Sequence, residues 1–188
     1  MIAKLNAYGI GHSSLKFIDN YLTNRKQRCK VGSSYSSWEN ITSGVPQGSV
    51  LGPLLFNIFI NDIFFFIKES STINFADDNT IYAYGDSIDE VKFKLENDIE
   101  NALHWFEINQ MVANPNKFQL MFLGTRKKTK LCLSIGDKTC VSSSSVTLLG
   151  VEIDWKLNFN QHVKNISNKA NNKTKSLSRL RNKLDTTQ

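Results

Sequence analysis

Cysteine is scarce in this chain, with three in 188 residues and no CxxC spacing. Cys29, Cys132 and Cys140 therefore cannot frame a disulfide scaffold or a zinc module. Histidine is equally sparse, and His12, His104 and His162 stand singly, as isolated surface or core residues do. No charged segment followed by an apolar run opens the chain, so nothing reads as a secretory leader. Without secretion, the Asn-x-Ser/Thr patterns at Asn40, Asn165 and Asn172 carry no weight. A clean membrane-spanning run is missing too. Residues 51–67 come nearest, but Gly52, Pro53, Asn57, Asn61 and Asp62 interrupt them, and they fall short of roughly 20 apolar residues. That stretch reads as a buried helix. There is no internal repeat. These absences point to a protein that is neither secreted nor membrane-bound, and place it inside the cell, in the nucleus or cytoplasm.

Hydrophobic residues make up 40% of the chain, which suits a globular protein with a sizeable core. The net charge of +6 is unevenly spread. Residues 1–125 hold 10 Lys and Arg against 13 Asp and Glu, a balance of −3; residues 126–188 hold 13 against 4, a balance of +9. A basic tail behind a nearly neutral body suggests a polyanionic partner, with nucleic acid first; the alternative is a solvated tail.

Periodicity gives a mixed pattern. Leu15, Ile18, Tyr21 and Leu22 follow Ser13-Ser14 at helical spacing. Residues 28–31 and 38–42 are β-prone around Gly32-Ser33-Ser34, which predicts a hairpin carrying Lys26, Arg28 and Lys30 on its first arm. Residues 44–48 form a loop, and residues 54–64 a helix with Pro53 in its first turn. Residues 73–75 and 80–82 are strand-like. Ser87-Ile88-Asp89-Glu90 is a capping-box pattern opening a long amphipathic helix that ends before Asn114-Pro115. Residues 118–123, 131–135 and 146–153 read as strands, with a basic turn at Arg126-Lys127-Lys128 and a polar connector at 142–145. Residues 162–183 read as a basic helix with an incomplete stripe of Val163, Ile166, Ala170, Leu177 and Leu180.

Two segments carry chemistry. Phe75-Ala76-Asp77-Asp78 puts adjacent carboxylates between two apolar strands. In an extended backbone they point to opposite faces, so only a turn lets both serve one metal cluster. Alone, Asp-Asp is a common surface-turn dipeptide. Beside a packed sheet, two carboxylates repel unless a cation neutralises them. Metal-dependent phosphoryl transfer uses such a pair to hold divalent ions on attacking and leaving oxygens. Upstream, Pro46 and Gly48 shape a loop that presents Gln47, a donor and acceptor together.

Gly44-Val45-Pro46-Gln47-Gly48-Ser49-Val50-Leu51-Gly52-Pro53-Leu54-Leu55-Phe56, taken with Phe75-Ala76-Asp77-Asp78, resembles the reverse transcriptases of non-LTR retrotransposons, the jockey-like ones nearest. The resemblance implies an RNA-directed DNA polymerase acting on an RNA template, a DNA primer and deoxynucleoside triphosphates with two Mg²⁺ ions. It makes Asp77 and Asp78 catalytic metal ligands, Asp77 foremost, with Phe75 near the primer terminus and Gln47 and Gly48 under the nascent base pair. Asn79 departs from the more usual Thr. Trp105-Phe106 and Asn114-Pro115-Asn116-Lys117 resemble the segment after the catalytic hairpin, making Lys117 either a nucleotide contact or a solvated strand-edge lysine. Leu148-Leu149-Gly150-Val151-Glu152-Ile153-Asp154 resembles the primer-gripping hairpin, so Leu149 and Gly150 become primer contacts, with Arg28, Lys30, Lys164 and Lys169 as further nucleic-acid contacts.

The implied fold is α+β: a partial polymerase palm, an antiparallel sheet packed on helices, followed by a basic, largely helical thumb-like segment. Residues 1–125 would be palm without fingers or first catalytic strand, 126–163 primer-grip-like strands, and 164–188 a thumb-like tail. The family's first catalytic aspartate lies upstream of the segment matching Leu5-Asn6-Ala7-Tyr8-Gly9-Ile10, and neither Asp19 nor Asp62 sits in a matching context. The expectation is therefore a fragment inactive alone, whose missing fingers and palm segment belong to a parent polyprotein. The alternatives are a non-catalytic nucleic-acid-binding remnant of a retrotransposon, or a remnant without a selected role.

Overall fold

Helix α1 (Ile2–Ala7) stops because Gly9 adopts φ 83°, a backbone state that side chains resist. The amide of Ile10 then donates to the Leu5 carbonyl at 3.1 Å and that of Gly9 to Asn6 at 2.9 Å, the paired bonds of a Schellman stop. This turn brings Ile10 back against Leu5 and launches α2 (His12–Leu22). Buried Leu5 and Leu15 meet Leu55 of α3 (Leu51–Ile60), with Ile18 and Ile58 closing round them. A tighter 3-10 turn, Asn61–Phe65, continues α3. Lys4 locks it in place, donating to Asp62 Oδ1 and to the Phe59 carbonyl, both at 2.8 Å.

The structure is a computed structural model that describes residues 1–124 and 129–180. It divides into two compact units, Met1–Tyr82 and Ala83–Gln188. In the first unit, α2 and α3 are separated by four very short strands. β1 (Lys26–Gln27) pairs with β4 (Glu39–Asn40), and β2 (Lys30–Val31) with β3 (Ser34–Tyr35) across a Gly32-Ser33 turn. The expected hairpin is present, built as two small ladders. The unit ends in the antiparallel pair β5 (Ser71–Phe75) and β6 (Asp78–Tyr82).

The second unit is organised by α4 (Ile88–Ile108). Ser87 Oγ accepts from the Glu90 amide at 3.1 Å, as the capping pattern predicts; the Glu90 carboxylate reaches past Ser87 to the Asp86 amide at 3.0 Å. Val91, Leu95, Asp98, Ala102 and Trp105 recur at spacings of four and three on the buried face, with Trp105 wholly enclosed. Against it lies β7 (Cys132–Ile135), burying Leu133 and Ile135, and Ser134 donates its amide to Glu96 Oε1 at 2.7 Å. β7 pairs with β8 (Lys138–Val141), and β9 (Ser145–Leu148) with β10 (Val151–Asp154). Helix α5 (Asn160–Leu180) follows and packs on β10, where the Glu152 amide donates to His162 Nδ1 at 3.2 Å and Asn165 donates to the Glu152 carboxylate at 2.8 Å.

The architecture is α+β, with the described strands forming five separate two-stranded antiparallel ladders. Three readings change. Residues 118–123 are not a strand, and only Met121 bridges, to Ser143. The Gln119 side chain takes a strand's place: its amide accepts from the Thr147 N–H at 2.8 Å and donates to the Thr147 carbonyl at 3.3 Å. Residues 146–153 are two strands, because Leu149 (φ 49°) and Gly150 (φ 81°) fold the chain back. β8 escaped the reading because Lys-Thr-Cys-Val shows no apolar alternation. The basic turn at Arg126-Lys127-Lys128 and the stretch beyond 180 lie outside the described residues.

Asp154 sets the entry to α5. Desolvation pushes its carboxyl up, but backbone N–H groups of Phe159, Lys156 and Asn158 outweigh this and hold it below its ordinary value of 3.8. A depressed value adds stability above pH 3.8 that is lost as pH falls through the folded value. The protection factor of the Phe159 amide, its exchange measured against the unfolded-chain rate at the same pH, should fall in that acid window, and in Asp154→Asn it should already be low at neutral pH. A Phe159 protection factor that is the same on both sides of that window in the unaltered chain would contradict this cap.

Candidate functional site

The ladder of β5 and β6 runs from Ser71 opposite Tyr82 to Phe75 opposite Asp78. Two residues, Ala76 and Asp77, close it, and Ala76 takes φ 54°, the left-handed state that two-residue hairpin turns demand. Asn79 tightens the turn by donating its side-chain amide to the Asp77 carbonyl at 3.2 Å. In the sequence Asn79 stands only as a departure from the more usual Thr. Its bond supports the backbone of the first carboxylate residue, a role signalled by the habit of Asn of bonding locally in turns.

Alternation along the ladder sorts the side chains. Ile73, Phe75, Asp78 and Tyr82 share one face, and Thr72, Asn74, Asn79 and Ile81 the other. The first face is exposed: Phe75 is 64% accessible and Ile73 61%. Asp77 and Asp78 both lie in water. The expectation that apolar packing flanks the carboxylates is thus corrected, since the apolar side chains nearest them are uncovered. On the other face, Asn74 and Asn79 stand opposite each other with Asn74 Nδ2 and Asn79 Oδ1 buried and unpartnered.

The loop before α3 is a built turn. The Ser49 amide donates to the Pro46 carbonyl at 3.3 Å, with Gln47 and Gly48 between them and Gly48 at φ 78°. Gly at the left-handed third position and a bond closing the first residue to the fourth are the features of a type II turn, here led by Pro46. Ser49 Oγ also donates to the Pro46 carbonyl at 2.7 Å and accepts from the Gly52 amide at 3.0 Å, so it caps α3 from within the motif. Gly52 is buried, and a Cβ there would meet Ser49 Oγ at 2.8 Å and the Pro46 carbonyl at 3.2 Å. Gln47 is left exposed at the apex. Sequence reasoning found Gln47 and Gly48 but missed Ser49 and Gly52, which hold them.

Arg28 and Lys30 are exposed on the small double hairpin of the same unit. The remaining candidates fall in the second unit. Lys117 is exposed at the end of a 3-10 turn, Pro115–Lys117, not on a strand edge. Leu149 and Gly150 form the β9–β10 turn, Leu149 half in water. Lys164 and Lys169 are exposed on α5.

For a metal, Asp77 and Asp78 offer hard oxygens, the donor type Mg²⁺ prefers. Mg²⁺ is commonly held by one or two carboxylates together with substrate phosphates and water. Among the described residues, no group of three or more His, Cys, Asp or Glu side chains is gathered closely enough to hold an ion by itself. Asp19 lies on α2, and Asp62 is engaged by Lys4. The donor chemistry suits Mg²⁺, as part of a ligand set.

Residues 1–153 match the profile of the family described as reverse transcriptase (RNA-dependent DNA polymerase). The chain is 27% identical over 177 residues to "RNA-directed DNA polymerase from mobile element jockey" of Drosophila melanogaster, across 89% of this chain and 19% of that protein. It is 28% identical over 161 residues to "Probable RNA-directed DNA polymerase from transposon X-element" of the same organism, across 79% of this chain and 17% of the other. A third relative there, "Probable RNA-directed DNA polymerase from transposon BS", is 25% identical over 178 residues, across 90% and 20%. The chain therefore spans about a fifth of the length of these relatives. No solved structure matches it significantly.

Two substitutions probe the geometry of the turns. Gly52→Ala should destabilise the first unit by about 1–3 kcal/mol, since the added methyl meets backbone as well as a hydroxyl. Ala76→Gly should raise stability by up to about 1 kcal/mol by relieving the left-handed alanine. Thermal unfolding of the full chain reads both. An unchanged melting point for Gly52→Ala would refute the close approach, and a lower one for Ala76→Gly the left-handed turn.

Proposed function

Since the chain belongs to the reverse transcriptase (RNA-dependent DNA polymerase) family, we propose that it is the palm and the start of the thumb of a jockey-like retrotransposon polymerase. The reaction is addition of deoxynucleotides to a primer 3′-hydroxyl on an RNA template. The observation that carries this reading is the two-residue turn that delivers Asp77 and Asp78 at one hairpin tip, with Phe75 directly across from Asp78. In this assignment residues 1–125 are palm, 126–163 primer-grip strands and 164–188 the thumb-like tail. The setting is intracellular, nuclear or cytoplasmic. Among the described residues no helix is long and apolar enough to cross a membrane.

Each residue has a distinct task. Asp77 and Asp78 hold Mg²⁺ through their carboxylates. Bound Mg²⁺, two ions in the complete enzyme, supplies neutralisation of phosphate charge and an activated 3′-hydroxyl. Phe75, exposed beside Asp78, packs against the primer terminus. Gln47, at the apex of a turn shaped by Pro46 and Gly48, lies under the nascent base pair and offers both a donor and an acceptor. Lys117 is assigned to the nucleotide by the family resemblance, as a contact or as the donor of a proton to the departing pyrophosphate. Leu149 and Gly150 steady the primer, and Lys164 and Lys169 meet backbone phosphates.

A second reading concerns the 188 residues as an isolated polypeptide. No third carboxylate joins Asp77 and Asp78 among the described residues. Catalysis of phosphoryl transfer is mostly electrostatic positioning. By itself the polypeptide is therefore a nucleic-acid-binding, non-polymerising piece. Polymerisation would need a further metal ligand beside Asp77 and Asp78.

Primer extension on an RNA template with Mg²⁺ should give no incorporation by the isolated chain. Incorporation that disappears in Asp77→Asn would overturn that second reading and support the first outright. The isolated chain should still bind a primer–template duplex with salt-dependent affinity. Lys164→Ala and Lys169→Ala should each lower the slope of log affinity against log salt by about 1. Unaltered slopes would remove both lysines from the phosphate contacts.

A further inference from the structure

The double hairpin of β1–β4 and β2–β3 holds no buried residue, yet it keeps two large rings in water, Tyr35 at 51% and Trp38 at 58% exposed. Cations sit against them. The Arg28 guanidinium carbon lies 4.0 Å from the Tyr35 ring centre and 4.6 Å from that of Trp38, so one side chain braces both rings. Lys30 Nζ lies 5.3 Å from the Tyr35 ring. Ser36 fixes the backbone between them: its amide donates to the Cys29 carbonyl at 3.0 Å, and its hydroxyl accepts from the Cys29 amide at 2.9 Å.

Within residues 26–40 the charges are Lys26, Arg28 and Lys30 against Glu39 alone. A purely apolar partner would have to desolvate those cations. An acidic peptide would use the cations and leave the rings idle. A strand with unpaired bases uses both: bases stack on aromatic faces, Arg adds a cation–π contribution, and phosphates meet the positive charge. A duplex offers its phosphates but keeps its base faces stacked on one another.

We infer that Tyr35 and Trp38, braced by Arg28, form a stacking platform for single-stranded nucleic acid, with Lys26 and Lys30 on its phosphates. This deepens the proposed function and rests on it, since it assigns a single-strand site to residues other than those of the acidic turn. Stacking is sequence-tolerant, because every base presents a ring face. The platform therefore selects unpaired over paired nucleotides and not one sequence over another.

Fluorescence anisotropy with the full chain tests this, using RNA and DNA strands of one sequence, an abasic strand of equal length, and the matching duplex. The double substitution Tyr35→Ala with Trp38→Ala should weaken both single strands about 10-fold or more. Affinity for the abasic strand and the duplex should hold, as should the salt slope on the single strands. Tyr35→Phe with Trp38→Phe keeps the ring faces and should keep the affinity. Should the alanine pair alter the circular dichroism spectrum, Trp38→Leu alone decides by the same comparison. Equal losses on base-bearing and abasic strands would overturn the platform, as would undiminished single-strand binding. Absence of binding to any strand by the unaltered chain would overturn the proposed function along with it.

Discussion

Antiparallel strands joined by only two residues need a backbone that twists the right way, and that requirement places a left-handed residue at the turn. The chain meets it four times among the described residues. Gly32 (φ 60°) closes β2–β3 and Gly136 (φ 56°) closes β7–β8, both without a side chain to strain. Ala76 closes β5–β6, and Leu149, ahead of Gly150, closes β9–β10. A non-glycine residue in this state carries about 1–3 kcal/mol of strain and persists only where its surroundings hold it. The two turns that accept this strain are those that hold candidate site residues: Asp77 in one, Leu149 and Gly150 in the other. A turn that keeps a Cβ has fewer accessible conformations than one built on glycine. For Asp77 that restriction fixes where a carboxylate leaves the ladder, and the Asn79 amide on the Asp77 carbonyl restricts it further.

The Gln47 loop reaches the same end by different chemistry. There the left-handed position is Gly48, and rigidity comes from outside the turn: Pro46 limits the backbone on one side, while Ser49 bonds both the Pro46 carbonyl and the Gly52 amide. The absence of a side chain at Gly52 lets α3 begin against the turn itself. Leu55, one turn further on, anchors that helix in the core with Leu5 and Leu15. The exposed glutamine is thus tied through three short links to the best-buried part of its unit.

The sequence made legible those elements whose signals are local and redundant. Helix α4 has a cap at Ser87, acidic residues in its first turn and a buried stripe ending at Trp105, and all three agree. The acidic hairpin was readable because its arms are apolar and β-branched, and the Gln47 loop because proline fixes its own φ and glycine admits the left-handed state a turn needs. What failed depended on partners. Phe118-Gln119-Leu120-Met121 has the composition of a strand. In the fold it forms only the Met121–Ser143 bridge, and Gln119 meets Thr147, 28 residues away, through its side chain. Ser49 and Gly52 escaped notice because their value lies in a contact across the turn, which periodicity does not encode. The accessibility of Phe75 and Ile73 was equally invisible, since an apolar pattern announces burial without naming what performs it.

That accessibility changes the electrostatic account of the acidic pair. Two like charges about 4 Å apart repel by roughly 1 kcal/mol in water and about 4 kcal/mol at an effective dielectric constant of 20. With both carboxylates in solvent, the repulsion is at the low end. The demand for a cation arises when the face bearing Ile73, Phe75 and Tyr82 is covered, because water then leaves the neighbourhood of Asp78. Under the proposed function, a primer terminus laid on that face would lower the local dielectric and strengthen the attraction of the two carboxylates for a cation. Burial of the apolar face and the cation affinity proposed for the turn would then rise together, with the exposed hairpin as the weak limit.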